Sequence, residues 1–368
     1  MRVIARRHRP LVVIDKEVIT YSRNKIYKIN IIDGTMEFIC KLPGSLMMRV
    51  LSKYRFWERL FRYEIKSAIL LSEDCLLISR IGCIYNIHLN TGKIEFEHHF
   101  RPNMNNPYYF TRIENIKNFQ DAIVYGEYIG RTNERFNVSI YSRPLEKKEW
   151  GEKFTFPPNQ IRHVHGIVPD SKNKCVYILT GDYDNESGIW ITKDDFKNVD
   201  PILIGSQIYR AVFLFPLDDK SFLYATDTAM QQNYIYHCWY NKNKEEYVIN
   251  KIIDIDGSCL SASSDNEFVY ISTTVENDER VTGLKSWVDY HRSPGIKSEF
   301  AQLICIEKSS FKTKKIFQLK KDMFPCRLMQ YGYFITVPAP TVNGILVYPI
   351  GVKKYDGKVL LLEKGKDY

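Results

Sequence analysis

Residues 161–205 carry a pattern of short strands and turns that strongly limits the folds open to this chain. Apolar runs of strand length lie at 163–168, 175–180 and 188–192, and a shorter one lies at 201–204. Clusters rich in Gly, Asp, Asn, Ser and Lys separate these runs, as at turns between antiparallel strands. Four short strands in about 45 residues is the size of one β-propeller blade. Because one sheet cannot bury both of its faces alone, the pattern predicts similar neighbouring units.

The four-strand pattern recurs along the chain, about every 45 to 50 residues where no insertion intervenes. The units cover residues 11–42, 67–100, 110–157, 163–204, 209–253, 258–319 and 326–362. The sequence therefore predicts an all-β fold, a single seven-bladed β-propeller domain over residues 1–368, with six or eight blades as alternatives.

Residues 45–65, between the first two units, are predicted to form a short basic amphipathic helical insertion. Apolar residues recur there at helical spacing with basic residues between them. Such a helix can pack its apolar stripe against the propeller rim, or it can lie on an anionic membrane surface. We expect rim packing, with peripheral membrane contact as the alternative. The apolar residues are Leu46, Met47, Val50, Leu51, Tyr54, Trp57, Leu60 and Phe61, and the basic ones are Arg49, Lys53, Arg55, Arg59 and Arg62.

A second insertion is predicted at residues 276–299, in the sixth unit. It contains Trp287 and Tyr290, and it is bounded by Gly283 and by Pro294 followed by glycine. A long loop with its own aromatic side chains favours a binding lid.

Charge and cysteine usage limit the class of partner and the compartment. The chain has 52 basic and 43 acidic residues, a net charge of +9, which favours anionic partners in general. No nucleic-acid-binding motif occurs, so no nucleic-acid partner is expected. The eight cysteines are scattered without a C-x-x-C pair, which favours free thiols. With no apolar leader at the start, we expect a cytoplasmic protein; the sequence does not indicate its oligomeric state.

Propeller geometry predicts where functional residues converge. In each blade the first strand begins, and the second strand ends, on the same face and near the central channel. Charged residues there must be paired or must serve a ligand, because isolated buried charge is costly. The residues at these positions are Arg9, Arg23, Lys66, Arg80, Arg112, Glu127, Tyr128, His163, His165, Asp182, Tyr183, Arg210, Asp227, Ser258, Thr274, Arg327 and Pro338.

His163 and His165 form the sharpest local feature. Alternation along a strand places both imidazoles on one face, about 6.5 to 7 Å apart along the backbone. They could share a divalent metal, bracket a substrate, or supply one base that a carboxylate such as Asp182 orients. Hydrogen bonds to neighbouring blades are a further, structural role.

Residues 163–195 resemble a blade of the sialidase-like, Asp-box-containing propellers. Such blades carry a Ser-x-Asp-x-Gly-x-x-Trp box at the turn between the third and fourth strands. Here Thr192 and Asp194 supply the hydroxyl and the aspartate, whereas the glycine is absent and no tryptophan follows. Sialidases hold their substrate's carboxylate with three arginines, so the resemblance implies that Arg9, Arg210 and Arg327 bind a carboxylate here. Propeller polysaccharide lyases, which use histidines and arginines on uronic acids, resemble the His163 and His165 arrangement.

The sequence thus predicts a carbohydrate-active enzyme that binds an acidic sugar in the propeller funnel and cleaves its glycosidic linkage, by hydrolysis or elimination. The alternative is a non-catalytic binding or scaffold propeller with a protein or membrane-surface partner. No cofactor is expected, although a divalent metal on His163 and His165 stays open. The candidate catalytic residues are His163, His165, Asp182, Glu127 and Asp227, and the candidate substrate-binding residues are Arg80, Arg112, Arg210, Arg327, Tyr128, Tyr183, Trp287 and Tyr290.

Overall fold

Seven four-stranded antiparallel sheets follow one another in the computed structural model, which describes residues 1–129 and 134–368. The sheets are the blades of a β-propeller, so the predicted seven-bladed fold is confirmed. Blade 1 contains β2 (Arg9–Ile14), β3 (Glu17–Ser22), β4 (Lys25–Asn30) and β5 (Met36–Lys41); blade 2 contains β6 (Ala68–Ser72), β7 (Cys75–Arg80), β8 (Cys83–His88) and β9 (Ile94–His99); blade 3 contains β11 (Thr111–Ile113), β12 (Ala122–Gly126), β14 (Val138–Pro144) and β15 (Gly151–Phe156), next to a short pair of β10 (Met104–Asn105) and β13 (Tyr128–Ile129).

The remaining blades repeat the same order. Blade 4 contains β16 (His163–Asp170), β17 (Cys175–Gly181), β18 (Gly188–Thr192) and β19 (Asp200–Ile204); blade 5 contains β20 (Ala211–Pro216), β21 (Ser221–Thr226), β22 (Asn233–Asn241) and β23 (Glu246–Ile255); blade 6 contains β24 (Cys259–Ser264), β25 (Phe268–Thr273), β26 (Phe300–Glu307) and β27 (Thr313–Lys320); blade 7 contains β28 (Tyr333–Ala339), β29 (Gly344–Ile350), β30 (Lys358–Glu363) and β1 (Arg2–Arg6).

The first strand of the chain completes the last blade. β1 pairs antiparallel with β30, with Arg2 opposite Leu361 and Val3 opposite Leu360. The sequence pattern does not reveal this pairing because the partners lie at opposite ends of the chain, with no hairpin turn between them. The expected start of the seventh unit is corrected accordingly: β28 begins at Tyr333, and Pro338 lies inside that first strand instead of ending a second one.

Packing between adjacent blades explains why the inner strands are continuous apolar runs. Every residue of β17 is buried, whereas the outer strand β19 is partly exposed. Ile140 and Phe156 of blade 3 pack in one cluster with Ile178 and Trp190 of blade 4. A strand that is covered on both faces needs apolar residues at every position, not at alternate ones.

The helical insertion consists of α1 (Leu46–Leu51) and α2 (Arg55–Phe61), between blades 1 and 2. Glu58 and Arg59 of α2 face the propeller and are buried, as is Met48 of α1, and Arg59 Nη1 lies 2.7 Å from Asp322 Oδ2. Leu46, Met47, Val50, Tyr54, Phe56, Trp57 and Phe61 are exposed. The expectation that the apolar stripe packs against the rim is therefore wrong, because buried carboxylates at the rim pair with the arginines of the insertion.

A buried ion pair joins blades 2 and 3. Arg143 Nε lies 3.0 Å from Glu97 Oε2, and the two side chains are 2% and 1% exposed. The Nη1 group of Arg143 donates to the carbonyl oxygens of Pro144 and Leu145, each at 3.1 Å. The desolvated charges are thus stable only as a pair.

We expect Arg143→Ala to lower the free energy of unfolding by about 3 to 5 kcal/mol, because it leaves the Glu97 carboxylate buried without its partner. The measurement is urea denaturation. Lys172→Ala is the matched control, since Lys172 makes an exposed ion pair with Asp218 between blades 4 and 5; it should change stability little. Equal losses in the two variants would contradict this assignment.

Candidate functional site

A cavity of about 620 Å³ is lined by the first strands of blades 1, 2, 4, 5, 6 and 7 and, from blade 3, by β10, β13 and the segment before β11. Its wall includes Arg9 and His163, each at the start of a first strand, and Asp182, directly after a second strand. Both polar and aromatic side chains contribute to it, among them Arg9, Lys66, Tyr108, Tyr128, His163 and Asp182. Its volume is in the range of ordinary small-molecule sites.

His163, His165 and Asp182 meet in one compact cluster in the wall of this cavity. The Nε2 atoms of the two histidines are 3.0 Å apart. Asp182 Oδ1 lies 3.2 Å from His165 Nε2 and 3.4 Å from His163 Nε2. β16 carries both histidines on one face, and the end of β17 brings the aspartate to them.

Hydrogen bonds indicate the protonation of both rings. His165 Nδ1 lies 3.0 Å from the Ala211 carbonyl oxygen, which can only accept, so Nδ1 carries the proton and Nε2 is an acceptor when the ring is neutral. The Nε2–H group of His163 then points at His165 Nε2 and Asp182 Oδ1. His163 Nδ1 is buried and has no hydrogen-bond partner among the described residues. Burial lowers the pKa of His163 to about 4, so this nitrogen is a bare acceptor at neutral pH.

Two arginines hold Asp182 from the other side. Arg210 Nη2 lies 3.1 Å from Oδ1, and Arg162 Nε lies 3.4 Å from Oδ2. Burial alone would raise the pKa of Asp182, but His163 and Arg210 outweigh it and hold that pKa well below its usual range. The pKa of Arg210 is raised, because Asp182 and Asp227 outweigh the effect of its burial. Asp182 is therefore an ionised carboxylate that orients its neighbours.

Two glycines leave room for the side chains that pack around β16. A Cβ on Gly181 would lie 2.4 Å from His165 Cε1 and 2.9 Å from His165 Nε2. A Cβ on Gly166 would lie 1.9 Å from the Tyr109 hydroxyl oxygen. Any larger residue at either position would displace the ring or the hydroxyl group that it meets.

A divalent metal is the other occupant that the cluster suggests. The two Nε2 atoms and Asp182 Oδ1 are spaced as ligands of one ion would be. However, Arg210 Nη2 already faces the same carboxylate oxygen at 3.1 Å. A cation bound there would be repelled by this guanidinium, so the residues fit a shared proton better than a metal.

The predicted site residues fall into three groups. Tyr128, His163 and Asp182 line the cavity. His165, Arg210 and Asp227 lie behind the wall, where Arg210 Nη2 also lies 3.6 Å from Asp227 Oδ2. Burial raises the pKa of Asp227, although Arg210 opposes this. The others, Arg80, Arg112, Glu127, Tyr183, Trp287, Tyr290 and Arg327, do not line the cavity.

Most residues of this last group have partners that account for them. Arg80 binds Asn24 and the Pro43 carbonyl, and Glu127 Oε1 accepts from Arg101 Nε at 2.6 Å. Of the other five, Arg112 pairs with Glu114, Arg327 lies over Trp287 and donates to Ser286, and Tyr290 is exposed. Tyr183 lies beneath Arg135 and beneath Arg162 of the cavity wall.

Sequence reasoning missed several residues of the cavity wall. Arg162, directly before β16, is one of its cations, and Tyr108 lies with its ring centroid 4.7 Å from that of Tyr128. Arg62, Glu279 and Tyr331 enter from the loops between strands. The position of Arg162 one residue before a first strand was a usable signal, whereas loop residues follow no periodic pattern.

The turn that resembles an Asp box is organised by its aspartate. Asp194 Oδ1 accepts from the Asn198 amide at 3.0 Å, and its Oδ2 accepts from the Asn198 side chain at 2.6 Å. Thr192 Oγ1 accepts from the Phe196 amide at 3.1 Å. The turn lies between β18 and β19, away from the cavity, so its role is structural.

Comparison with solved structures shows the same fold. The chain is similar to an oligogalacturonate lyase from Vibrio parahaemolyticus, with 10% identity, 94% of this chain and 88% of that chain covered, and a TM-score of 0.57. It is also similar to the AfRom2 CNH domain, with 7% identity, coverages of 98% and 97%, and a TM-score of 0.54. A chain of a mitotic checkpoint complex matches with 11% identity, coverages of 96% and 87%, and a TM-score of 0.53.

No protein-family model matches the sequence, and no curated protein matches it. At such low identities the structural likeness shows the β-propeller fold alone, which hosts many unrelated functions.

We expect Gly181→Ala to destabilise the protein by about 1 to 3 kcal/mol, because the added methyl group overlaps the His165 ring. It should also shift the imidazole signals of His163 and His165 in NMR spectra. Gly151→Ala is the matched control, because a Cβ at that position meets nothing within 4 Å. If both variants had the same stability and unchanged histidine signals, the close fit around His165 would be refuted.

Proposed function

We propose that this protein binds an acidic sugar in the central cavity and cleaves its glycosidic linkage. The observation that carries the proposal is the pair of buried His163 and partly exposed Asp182, which lies beside cationic residues in the wall of a ligand-sized cavity. A carboxylate that orients one nitrogen of an imidazole leaves the other nitrogen available as a base. In this protein that nitrogen is His163 Nδ1, which is buried, so this role requires the side chains that cover it to move when the ligand binds.

The composition of the wall favours an anionic ligand with sugar-like surfaces. Arg9, Arg62, Lys66 and Arg162 bring positive charge to the cavity, and guanidinium groups can hold a carboxylate with two parallel hydrogen bonds. Five tyrosines, Tyr108, Tyr109, Tyr128, Tyr331 and Tyr333, add aromatic surface and hydroxyl groups. The similar Vibrio structure is that of an oligogalacturonate lyase. A uronic acid oligomer is therefore our proposed substrate.

Elimination suits this cavity better than hydrolysis. Most glycoside hydrolases need two carboxyl groups that flank the scissile bond. Of the carboxyl groups in the wall, Asp182 faces two histidines and two arginines, and Glu64 pairs with Arg9 and Arg55. This leaves Glu279 as the lining carboxyl group without an ion pair in the described part of the chain. One available carboxyl group does not make the pair that hydrolysis requires.

The residues have distinct roles in the proposed reaction. His163 Nδ1 accepts the proton from the carbon next to the sugar carboxylate, while Arg162 neutralises that carboxylate. The bond to the leaving oxygen breaks as a carbon–carbon double bond forms. Tyr128 supplies a proton to that oxygen; burial raises the pKa of its hydroxyl group to about 12, and its ring centroid lies 4.0 Å from that of His163.

A sialidase-like mode of binding has less support. It would require Arg9, Arg210 and Arg327 to hold one carboxylate together. Arg9 lines the cavity, Arg210 is buried against Asp182, and Arg327 lies over Trp287. These positions favour Arg162 and Arg9 as the anion-binding pair.

A non-catalytic binding propeller is the second candidate. A broad exposed apolar surface on the helical insertion favours it, since such surfaces often mark interaction sites. The two candidates differ in one outcome: a binding propeller would hold the sugar or partner without converting it.

Arg162→Ala should weaken the binding of oligogalacturonate by about 10- to 150-fold, the equivalent of about 1.5 to 3 kcal/mol for a lost charged hydrogen bond. The measurement is isothermal titration calorimetry at low temperature. Arg112→Ala is the matched control and should bind as the parent does, since Arg112 pairs with Glu114 and does not line the cavity. Equal affinities for the two variants, both folded, would refute the proposed anion site.

The reaction type is read from the product. Elimination creates an unsaturated uronate with a new ultraviolet absorbance, whereas hydrolysis gives a new reducing end without that absorbance. His163→Gln should abolish turnover and preserve binding. A chelator should leave turnover unchanged; a loss of turnover that added divalent metal restores would overturn our choice of a proton-sharing cluster over a metal site. Binding without any product would favour the non-catalytic candidate.

The pH profile provides a separate test of the base. Since burial lowers the pKa of His163 to about 4, we expect kcat/KM for oligogalacturonate to stay level from pH 7 to 5 and to fall with a midpoint near pH 4. The unfolded chain binds this proton below about pH 6.5, whereas the folded protein binds it only near pH 4. Folding stability therefore falls as the pH drops from about 6.5 to about 4. Circular dichroism at each pH separates the two effects. A midpoint near 6.5 in fully folded protein would exclude His163 as the base.

A further inference from the structure

The exposed large apolar side chains of three separate segments lie together beside the cavity. The first segment is the helical insertion, the second is residues 284–290, and the third is residues 323–324. Their exposed members include Leu46, Met47, Tyr54, Trp57, Phe61, Leu284, Trp287, Val288, Tyr290, Met323 and Phe324, of which Leu46 is 77% and Leu284 is 88% exposed. We call this set the mouth patch.

Direct contacts join the three segments into one surface. The rings of Phe56 and Phe324 are 6.1 Å apart. Arg62 Nη2 donates to the Arg327 carbonyl oxygen at 3.2 Å, and the Arg327 guanidinium lies 5.3 Å from the centre of the Trp287 ring. The mouth patch is therefore continuous from the helical insertion, through residues 323–327, to the loop in blade 6.

The orientation of α2 is the reverse of that of an ordinary surface helix. Its charged side chains face the protein: Arg55 Nη1 lies 2.6 Å from Glu64 Oε1, Arg55 Nε lies 3.0 Å from Asp356 Oδ2, and Arg59 Nη1 lies 2.7 Å from Asp322 Oδ2. These ion pairs are largely buried and fix the rotation of the helix. The aromatic side of α2 is consequently held towards the outside.

The exposed charges around the patch are mostly basic, with Glu279 of the blade 6 loop among the acidic exceptions. Among residues 45–66, all of which the structure describes, the exposed charged side chains are Arg49, Lys53, Arg62 and Lys66. The acidic residues of the same stretch, Glu58 and Glu64, are buried. Lys285 adds another exposed cation next to Leu284.

We propose that the mouth patch docks on an anionic membrane surface. Leucine, tryptophan, tyrosine and phenylalanine side chains that project among lysines and arginines are the combination found at the lipid–water interface. Each basic group near such a surface contributes about 1 kcal/mol. No helix in the described residues is long and apolar enough to cross a membrane, so this contact is peripheral.

Docking in this orientation also determines which way the cavity opens relative to the membrane. Arg62 and Lys66 belong both to the basic surround of the patch and to the cavity wall. The opening thus faces the layer of lipid headgroups. The proposal concerns the surface alone and does not depend on the proposed enzymatic function, since its test uses vesicles without any sugar substrate.

The first experiment is co-sedimentation with vesicles of phosphatidylcholine, alone or mixed with phosphatidylserine. The parent protein should bind the mixed vesicles and bind the neutral ones less, and added salt should weaken the difference. Arg49→Ala with Lys53→Ala should reduce binding to mixed vesicles by about 30-fold, which is about fivefold for each basic group. Failure to bind either vesicle would overturn the proposal and leave an acidic protein surface as the partner.

The second experiment tests which surface makes the contact. Leu46→Ser, Trp57→Ser and Leu284→Ser together should reduce vesicle binding by at least about tenfold, because apolar burial in the interface is lost. All three side chains are exposed, so the variant should fold as the parent does. The matched control is Phe96→Ser with Ile204→Ser, two exposed apolar residues on the outer strands of blades 2 and 4. Equal losses in both variants would contradict docking through the mouth patch.

A third measurement reports the depth of the contact. Brominated lipid should quench the fluorescence of Trp57 and Trp287, while the three other tryptophans of the chain lie outside the mouth patch. Trp57→Phe with Trp287→Phe should keep vesicle binding and lose most of the quenching. Unchanged quenching in that variant would show that another part of the surface enters the lipid.

Discussion

The backbone pairing of β1 with β30 is the interaction on which the rest of the structure depends. β1 contributes the outer strand of blade 7, and the amino-terminal ammonium group lies 2.5 Å from Asp367 Oδ1. Without this pairing, blade 7 would have three strands with β30 as its exposed edge, and only the packing between blades 7 and 1 would join the ends of the ring. Ring closure holds the innermost strands at a fixed distance from the axis. The cavity and its wall exist because that distance is fixed.

A closed ring brings polar strand ends together whether or not a ligand is bound, and their charges must be balanced there. The cluster around Asp182 does this with two histidines and two arginines. Its charge balance also decides its chemistry: the arginines keep the carboxylate ionised, and burial keeps His163 neutral. The same contacts that make the cluster stable therefore orient His163 and keep it neutral, as its proposed role requires.

The blades could be predicted from the sequence because each is a local unit with its own turns and apolar runs. His163 and Asp182 could also be placed, since both lie at the predicted strand ends of one blade. The pairing of β1 could not, because nothing local links Arg2 to Leu361. Arg112 was misplaced because β11 is only three residues long, and the arginine turns to Glu114 instead of the axis. Periodicity also identified the helical insertion, but it does not say which side faces the protein.

Glu64 connects the insertion to the cavity. Its Oε1 atom accepts from Arg55 of α2 at 2.6 Å and from the Tyr348 hydroxyl at 2.8 Å, while its Oε2 atom lies 3.5 Å from Arg9 Nη1. Burial would raise the pKa of Glu64, but Arg55 and Arg9 outweigh it and lower that pKa to about 2. The carboxylate is thus shared between a cation of the exposed helix and a cation of the cavity wall. A movement of α2 that withdrew Arg55 would leave Glu64 with the Tyr348 hydroxyl and with Arg9 as its remaining cationic partner. The helix and the cavity cation Arg9 therefore share one buried carboxylate.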